Sequence, residues 1–313
     1  MRVFVTGVGG QLGHDVMNEL AGRGYEGIGS DIREVYSGCC DGTAAERMPY
    51  KQMDIIDAES VRNVLRSVRP DVVVHCAAWT AVDLAEDEDK WETVRMVNTS
   101  GTRTIAEVCR ELDCKMVYFS TDYVFDGTGT EPWKPDCKDY RPLNVYGRTK
   151  LEGELAVAEL LDKYFIVRIA WVFGKNGKNF IKTMLNLGKT HDRLTVVNDQ
   201  IGTPTYTYDL ARLIVDMIET EKYGYYHATN EGSYISWYDL AVEIFRQAAE
   251  LGHREYDSGH LTVVPVTTAE YGISKAARPF NSRLDKSKLS ANGFTPLPSW
   301  QDALARYLKE LGL

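Results

Sequence analysis

Short apolar runs alternate with amphipathic stretches along the first 170 residues of the chain. The runs are too short for buried helices and several end at glycine, serine or aspartate, which is typical of buried strands. The segments predicted as strands are residues 3–5, 25–30, 71–78, 116–119 and 164–170.

Helical periodicity fills the intervals between these runs. An apolar stripe that includes Val16 and Leu20 predicts a helix after the first strand. Asp57 is a suitable N-cap for a second helix, which Pro70 should end. Further helices are expected at residues 88–112, from Tyr146 onward, near 208–220 and near 236–250. Residues without a clear period are 32–50, expected to form a surface loop, and 251–298, expected to mix short strands and turns.

Strands that alternate with helices form a parallel sheet, because right-handed crossovers place the helices on both faces. The sequence therefore predicts an α/β fold of the Rossmann type, a doubly wound parallel sheet with a smaller C-terminal substrate-binding lobe. The expected division is a dinucleotide-binding domain at residues 1–170 and a mainly substrate-binding lobe at residues 171–313. Part of residues 191–225 is expected to return to the first domain.

The composition is that of an ordinary globular protein, with 44% hydrophobic and 26% charged residues among 313. The net charge of −9 argues against a nucleic-acid partner, since such proteins usually carry a basic face. It leaves room for a local basic pocket that binds an anionic substrate. No apolar run approaches membrane-spanning length, and the apolar residues before Gly7 are too few for a signal peptide.

The six cysteines show no CxxC spacing, and no HExxH motif is present, so a structural zinc site is not expected. The neighbours Cys39 and Cys40 cannot easily bridge each other. Reduced thiols in a cytoplasmic protein are the simplest interpretation.

Three glycines, Gly7, Gly10 and Gly13, lie between the first strand and the first helix. In a dinucleotide-binding turn the first allows the tight bend, the second lets the backbone approach a pyrophosphate, and the third lets the helix pack on the strand. The amides at the helix N-terminus then face the phosphates. A glycine-rich turn without a ligand is the alternative. The order of strand, glycines and helix favours a nicotinamide dinucleotide, with Gln11 and Leu12 bordering its pyrophosphate and nicotinamide side.

Asp31 ends the second predicted strand, 18 residues after Gly13. An acid at this position can accept hydrogen bonds from ribose hydroxyls, which favours NADH. A solvated strand-end carboxylate is the alternative. Arg33 is close enough in sequence to meet a 2′-phosphate, so NADPH stays open. Asp54 and Ile55 follow the position where a dinucleotide-binding fold has its third strand, and they are expected to edge the adenine.

Tyr146 and Lys150 lie four residues apart at the start of a predicted helix, so both side chains project from one face. An adjacent ammonium is expected to lower the pKa of the phenol, which suits protonation of an oxygen as a hydride reaches its carbon. Tyr271 and Lys275 have the same spacing, but no cofactor strand precedes them. An exposed pair on a helix face is the interpretation we prefer for that second pair.

Further motifs follow in order along nearly the whole chain. The most specific are Ser-Thr-Asp-Tyr-Val-Phe-Asp-Gly at residues 120–127 and Tyr-Gly-Arg-Thr-Lys at residues 146–150. The other matching segments are residues 7–13, 77–83, 168–174, 202–205, 278–285 and 297–300. Together they resemble the extended short-chain dehydrogenases/reductases, and more narrowly the dTDP-4-dehydrorhamnose reductase family.

The resemblance implies that Thr121, Tyr146 and Lys150 form the catalytic set. Tyr146 would protonate the growing alkoxide, Lys150 would depress the Tyr146 pKa and hold the nicotinamide ribose, and Thr121 would hydrogen-bond the ketone oxygen. The other implied cofactor contacts are Ala77, Ala78, Trp79, Thr80 and Phe119. The expected substrate contacts are Val82, Thr121, Asp122, Tyr123, Trp171 and Arg278. For Trp171, packing in the core is the alternative.

The cation that meets a substrate diphosphate is expected from Arg278 or Arg283, although either could instead pair with Asp285. The implied reaction is the reduction of dTDP-4-dehydro-6-deoxy-L-mannose to dTDP-L-rhamnose with NADPH or NADH. Two alternatives stay open: a reductase of another nucleotide-linked 4-keto sugar, and a non-catalytic regulatory subunit resembling that of methionine adenosyltransferase.

Some members of the family dimerise around Mg²⁺ held partly by a glutamate of the first helix. The matching residue here is Asp15, which is shorter and has no clear set of partner acids. The sequence therefore does not support a metal site. The expected partner is a dTDP-sugar, without nucleic acid or membrane, and the chain is expected to be a monomer or homodimer.

Overall fold

Strands and helices alternate along the chain in this computed structural model, which describes residues 1–313. The strands are β1 Arg2–Thr6, β2 Glu26–Asp31, β3 Tyr50–Gln52, β4 Val72–His75, β5 Lys115–Thr121, β6 Tyr164–Ile169, β7 Val172–Phe173, β8 Arg193–Val197, β9 Ile201–Gly202, β10 Thr205–Tyr206, β11 Gly224–His227, β12 Ile235–Ser236 and β13 Thr262–Val266. The helices are α1 Gln11–Gly22, α2 Ala44–Arg47, α3 Ala58–Val68, α4 Trp91–Arg95, α5 Thr102–Leu112, α6 Val145–Leu160, α7 Phe180–Gly188, α8 Thr207–Ile218, α9 Trp237–Glu250, α10 Thr268–Tyr271, α11 Ser287–Ala291 and α12 Trp300–Glu310.

Seven strands form one sheet with the order β11-β6-β5-β4-β1-β2-β3, and every neighbouring pair is parallel. The chain leaves β1 towards β2 and β3 and then returns to β4 on the other side of β1. The strand order therefore reverses between β1 and β4, and open α/β sheets bind ligands at such a switch point. The predicted doubly wound α/β fold is confirmed.

Local sequence signals set the helix ends as predicted in several places. The Asp57 carboxylate accepts hydrogen bonds from the amides of Glu59 and Ser60 at the start of α3. The helix ends at Arg69, which has a φ of +47° and precedes Pro70. The predicted helical region at 88–112 contains α4 and α5, joined by a π-helical turn at Met96–Gly101.

The expectation of a surface loop over residues 32–50 is wrong at its end, because α2 lies inside it and β3 begins at its last residue. The sequence Ala-Ala-Glu-Arg favours a helix. Ala45 is buried in the core, and its amide donates to the Asn18 side chain on α1. The packing of α2 against α1 thus orders the end of this segment.

Apolar cores cover both faces of the sheet, and a further core lies outside it. On one face, side chains of α1 and α8 pack on β1, β4 and β5. On the other face the core is built by α3, α5 and α6. The outside core joins α7, α9, α12 and β8 and forms the body of the C-terminal lobe. Residues 207–227, which form α8 and β11, pack with the sheet rather than with this outside core.

Candidate active site

Two adjoining cavities lie at the carboxyl ends of the central strands. The Asp31 cavity, lined by Asp31 and Asp54, has a volume of about 320 Å³. The Tyr146 cavity, lined by Tyr146 and Lys150, has a volume of about 560 Å³. Both are lined by the glycine turn after β1 and by the segment that follows β4. The site therefore lies where the strand order places it.

The structure brings nearly all the predicted site residues to these two cavities. The Asp31 cavity is lined by Gly7, Gly10, Asp31, Asp54, Ile55, Ala77, Ala78 and Trp79. The Tyr146 cavity is lined by Gly7, Gly10, Gln11, Leu12, Gly13, Ala78, Thr80, Val82, Phe119, Thr121, Asp122, Tyr123, Tyr146, Lys150 and Trp171. Arg278 lies apart, on the wall of a third cavity.

The glycine turn is so close to neighbouring backbone that side chains do not fit. Gly7 has a φ of +69°, and a Cβ atom there would lie 2.6 Å from the Ala77 nitrogen. A Cβ atom at Gly13 would lie 2.4 Å from the Gly7 carbonyl oxygen. No side chain caps α1, so the first amides of this helix are available to a bound anion. The turn thus fits the pyrophosphate of a dinucleotide.

Asp31 is held in place by two backbone amides. Its Oδ2 accepts from the Gly9 amide at 3.0 Å and its Oδ1 from the Ile32 amide at 2.8 Å. The nearby Ser30 hydroxyl is buried, has no hydrogen-bond partner and lines the same cavity. No lysine or arginine lines this cavity, and Arg33 is exposed outside it. These groups suit ribose hydroxyls better than a 2′-phosphate.

The start of α6 places Tyr146 and Lys150 in the Tyr146 cavity. The Asn144 side chain caps this helix by accepting from the Gly147 amide at 2.7 Å, so Tyr146 lies in the first helical turn. Lys150 follows one turn later, with its Nζ 4.2 Å from the centre of the Tyr118 ring. Both side chains therefore face the cavity from one side of α6, as the spacing predicts.

Thr121 ends β5 beside this pair and takes part in a short hydrogen-bond chain. Its hydroxyl donates to Asp122 Oδ1 at 3.0 Å and accepts from the Tyr123 amide at 3.2 Å. Asp122 is almost fully buried, and its Oδ2 has no hydrogen-bond partner. Burial raises the pKa of Asp122 to about 6, although the Ser282 and Thr121 hydroxyls offset part of the rise.

The predicted depression of the Tyr146 pKa by Lys150 is wrong. Burial raises the pKa of the Tyr146 phenol, the Asp122 carboxylate raises it further, and the Thr121 hydroxyl offsets only part of this. Burial also lowers the pKa of Lys150 to about 7, against the attraction of Glu154. Desolvation is thus the largest cause of both pKa shifts, and Tyr146 keeps its proton at neutral pH.

A family model described as the RmlD substrate binding domain matches residues 1–313. The chain belongs to this family. It is 36% identical to dTDP-4-dehydrorhamnose reductase of Escherichia coli strain K12, over 99% of this chain and 98% of that protein. It is 37% identical to dTDP-4-keto-6-deoxy-D-glucose reductase of Streptomyces niveus, over 97% of this chain and 96% of that protein.

A solved structure agrees with these relatives. The crystal structure of dTDP-4-dehydrorhamnose reductase from Bacillus anthracis strain Ames, in complex with NADP, is 38% identical to this chain. It superposes with a TM-score of 0.86 and covers 99% of each chain. The predicted resemblance is therefore confirmed.

Sequence reasoning missed several side chains that line the Tyr146 cavity in this RmlD-family chain. Trp237, the first residue of α9, stacks on Trp171 with ring centres 3.8 Å apart. Cys76, Ser120 and Lys178 also line the cavity. The Ser-x-x-Asp capping box that begins at residue 236 signals the helix start. It does not reveal that this start faces the cleft, because that depends on how the C-terminal lobe packs.

Arg278 has a partner that the sequence did not suggest. Its Nη2 donates to Asp83 Oδ2 at 2.5 Å and its Nη1 to the Tyr123 hydroxyl at 3.3 Å. Arg283 instead donates to the Asn281 side chain at 3.0 Å and lines none of the three cavities. The suggested alternative of a pair with Asp285 is therefore wrong for both arginines.

Asp15 points inward in this family member. It is 6% exposed, and its Oδ2 accepts a hydrogen bond from the Thr207 hydroxyl at 2.5 Å. No group of three or more histidine, cysteine, aspartate or glutamate side chains has a geometry that could hold a metal ion. None of the helices combines the length and apolar character needed to cross a bilayer.

Proposed function

We propose that this chain is an NAD(P)H-dependent reductase that converts dTDP-4-dehydro-6-deoxy-L-mannose, also called dTDP-4-dehydrorhamnose, to dTDP-L-rhamnose. The observation that carries the proposal is the convergence of Thr121, Tyr146 and Lys150 in a cavity that adjoins a dinucleotide-type glycine turn. The end-to-end match to the E. coli reductase supports the substrate, and the NADP bound to the B. anthracis relative supports the cofactor class.

The residues present suit the dinucleotide. The amides that begin α1 would hold the pyrophosphate, Asp31 and Ser30 the ribose of the adenosine half, and Lys150 the ribose of the nicotinamide half. When bound, NAD(P)H supplies the hydride that adds to the ketone carbon. The glycine turn supplies a backbone surface without side chains, which lets the phosphates approach closely.

Side chains of the Tyr146 cavity carry out the remaining steps. The Thr121 hydroxyl orients the ketone oxygen by turning its proton from Asp122 to the substrate. Tyr146 donates the proton that the new alkoxide needs, and its phenol, whose pKa burial raises, carries that proton at neutral pH. Lys150, one turn away on the same face of α6, would hold the nicotinamide ribose. Trp171, stacked on Trp237, offers an apolar wall to the sugar ring.

We expect Tyr146→Phe to lower kcat by roughly 10²–10⁴-fold, because general acid catalysis typically contributes that much. The cofactor should bind as before, since the ring is retained. Consumption of reduced cofactor with the dTDP-4-keto sugar measures the rate, and fluorescence titration with NADPH measures binding. Tyr208→Phe, an exposed tyrosine on α8, is the control. Near-native turnover by Tyr146→Phe would remove Tyr146 from the mechanism.

A reductase of another nucleotide-linked 4-keto sugar is the second candidate, favoured by the relative from S. niveus. A panel that includes dTDP-4-keto-6-deoxy-D-glucose separates the two by their kcat/KM values. The proposed substrate should be preferred at least tenfold, about 1.4 kcal/mol. Binding of sugar and cofactor without turnover would instead support a regulatory subunit.

We further propose that residues 1–170 bind the dinucleotide and residues 171–313 mainly the substrate, with part of 191–225 belonging to the first unit. The packing of α8 on α1 supports this division. A cytoplasmic monomer or homodimer is proposed as well, supported by six free cysteines. Gel filtration with light scattering measures the oligomeric state.

A further inference from the structure

Arg278 lies on the wall of the third cavity, which has a volume of about 350 Å³ and is also lined by Asp83, Gln200, Ser274 and Trp237. Trp237 lines the Tyr146 cavity too, so the two spaces meet at this indole. A ligand that reacts at Tyr146 can therefore extend past Trp237 into the third cavity. A sugar nucleotide is such a ligand, because its nucleotide is attached at the opposite end from the reacting carbonyl.

Asp83 binds both the guanidinium and the backbone of the segment that carries Arg278. Its Oδ2 accepts from Arg278, and its Oδ1 accepts from the amides of Lys275 and Ala276 at 3.1 Å each. Asp83 lies at the end of the segment that follows β4, whereas Lys275, Ala276 and Arg278 belong to the C-terminal lobe. The carboxylate thus bridges the cleft. The Asp83 side chain is 45% exposed, so a ligand can reach the ion pair.

Tyr123 lies between Arg278 and the reacting group and contacts both. Arg278 Nη1 lies 3.3 Å from the Tyr123 hydroxyl, and the Tyr123 ring meets the Tyr146 ring edge-on with centres 5.7 Å apart. In a 4-keto sugar nucleotide, the diphosphate is on C1, across the sugar ring from the ketone carbon. The anion therefore belongs across the sugar ring from Tyr146, and Arg278, beyond Tyr123, is the cation we assign to it. Guanidinium matches phosphate oxygens with paired hydrogen bonds.

We propose that the Asp83 carboxylate pairs with Arg278 in the free protein and holds the guanidinium in place. When the substrate binds, its diphosphate replaces the carboxylate on the guanidinium. The proposal rests on the proposed function and names a positioning residue for its substrate. A carboxylate brings one negative charge and a diphosphate at least two, so the exchange favours the charged nucleotide. A neutral sugar cannot make the exchange, which makes the pair selective for nucleotide-linked substrates.

Asp83→Asn separates charge from shape, because asparagine keeps the Oδ1 acceptor for the amides of Lys275 and Ala276. We expect the KM for the dTDP-keto sugar and the Kd for dTDP to fall by roughly two- to fivefold, since a half-exposed ion pair no longer competes. Arg278→Met should raise both by about tenfold or more. In the Arg278→Met background, Asp83→Asn should have no further effect on either constant.

Matched controls come from the same segment. Asp87→Asn removes the partner of Lys275, and Arg283→Met removes a cation outside the three cavities. Both should leave KM and Kd unchanged. Thymidine, which has no phosphate, should bind equally to the wild type and to Asp83→Asn.

Two results would overturn the proposal. One is a raised or unchanged Kd for dTDP in Asp83→Asn. The other is a lower Tm without a change in KM or Kd in Arg278→Met, which would make the pair a structural link. If the wild type does not turn over the keto sugar, the proposed reaction fails. Calorimetry with dTDP and thymidine still tests the exchange at Arg278 in that case.

Discussion

At the scale of single residues, Asp31 offers the clearest test of cofactor choice. We expect Asp31→Ala to raise the KM for NADH by about tenfold or more, because hydrogen bonds to a charged acceptor are lost. The KM for NADPH should change less, since the 2′-hydroxyl that Asp31 would bind is phosphorylated in that cofactor. Initial rates with each cofactor measure the effect. Arg33→Ala, which changes a side chain outside the cavity, should leave the KM for NADH unchanged. An unchanged KM for NADH in Asp31→Ala would exclude a ribose contact.

Asp15 gives a prediction about stability and pH. Burial raises its pKa to about 7, from an ordinary value of 3.8, although the Thr207 hydrogen bond opposes this. The folded state therefore disfavours the ionised form, and stability is lost as pH rises from about 4 through 7. Asp15→Asn should increase the free energy of unfolding by a few kcal/mol at pH 8, since one pKa unit corresponds to about 1.4 kcal/mol.

Urea unfolding of Asp15→Asn and wild type at pH 4 and pH 8 measures this difference. The gain should nearly vanish at pH 4, where the aspartate is protonated in the fold and partly protonated in the unfolded chain. An equal gain at both pH values would mean that ionisation of Asp15 is not the cause.

The sequence predicts single residues well where local geometry fixes them. Gly7 and Gly13 follow from a turn in which no Cβ fits, and Tyr146 and Lys150 from the spacing of one helix face. The ion pair between Asp83 and Arg278 could not be predicted, since it joins residues 195 positions apart across the cleft. The raised pKa of Tyr146 also escaped prediction, because it depends on burial rather than on the neighbouring charge.

At the scale of elements, a fully buried ion pair ties α6, the helix that carries Tyr146 and Lys150, to β6. Both Glu154 oxygens accept from the Arg168 guanidinium at 2.8 Å, and neither side chain is exposed. Arg168 also donates to the Pro135 carbonyl and the Tyr140 hydroxyl. Glu154 lies one turn after Lys150 on α6. The pair therefore fixes how α6 lies against the sheet.

We expect Arg168→Met to lower the free energy of unfolding by about 3–5 kcal/mol, because it leaves Glu154 as an unpaired buried charge. The double variant Arg168→Met, Glu154→Leu should recover part of this loss. Chemical denaturation of the single and double variants measures the coupling. If the two losses simply add, the pair does not act as a unit.

Long elements with a clear period were predictable, and short ones were not. Helices α8 and α9 lie within a residue or two of their predicted bounds. The two-residue strands β7, β9, β10 and β12 have no sequence pattern of their own. They exist because chain segments of the C-terminal lobe meet there, which is a tertiary effect.

At the scale of the whole molecule, the alternation of strands and helices was enough to predict the sheet. It did not reveal the seventh strand, β11, because Gly224–His227 is short and follows a long excursion into the C-terminal lobe. Its pairing with β6 buries Tyr226 in the core of the sheet. The shape of the substrate cleft was equally hidden, since residues from both ends of the chain line it.

The late arrival of β11 has a consequence for synthesis on the ribosome. When the first 170 residues have emerged, β6 is an open edge, and the apolar face that α8 will cover is exposed to water. The nascent chain must stay in this incomplete state until residue 227 has left the exit tunnel. Chaperones that shield exposed strands and apolar surface can act on the nascent chain during that interval.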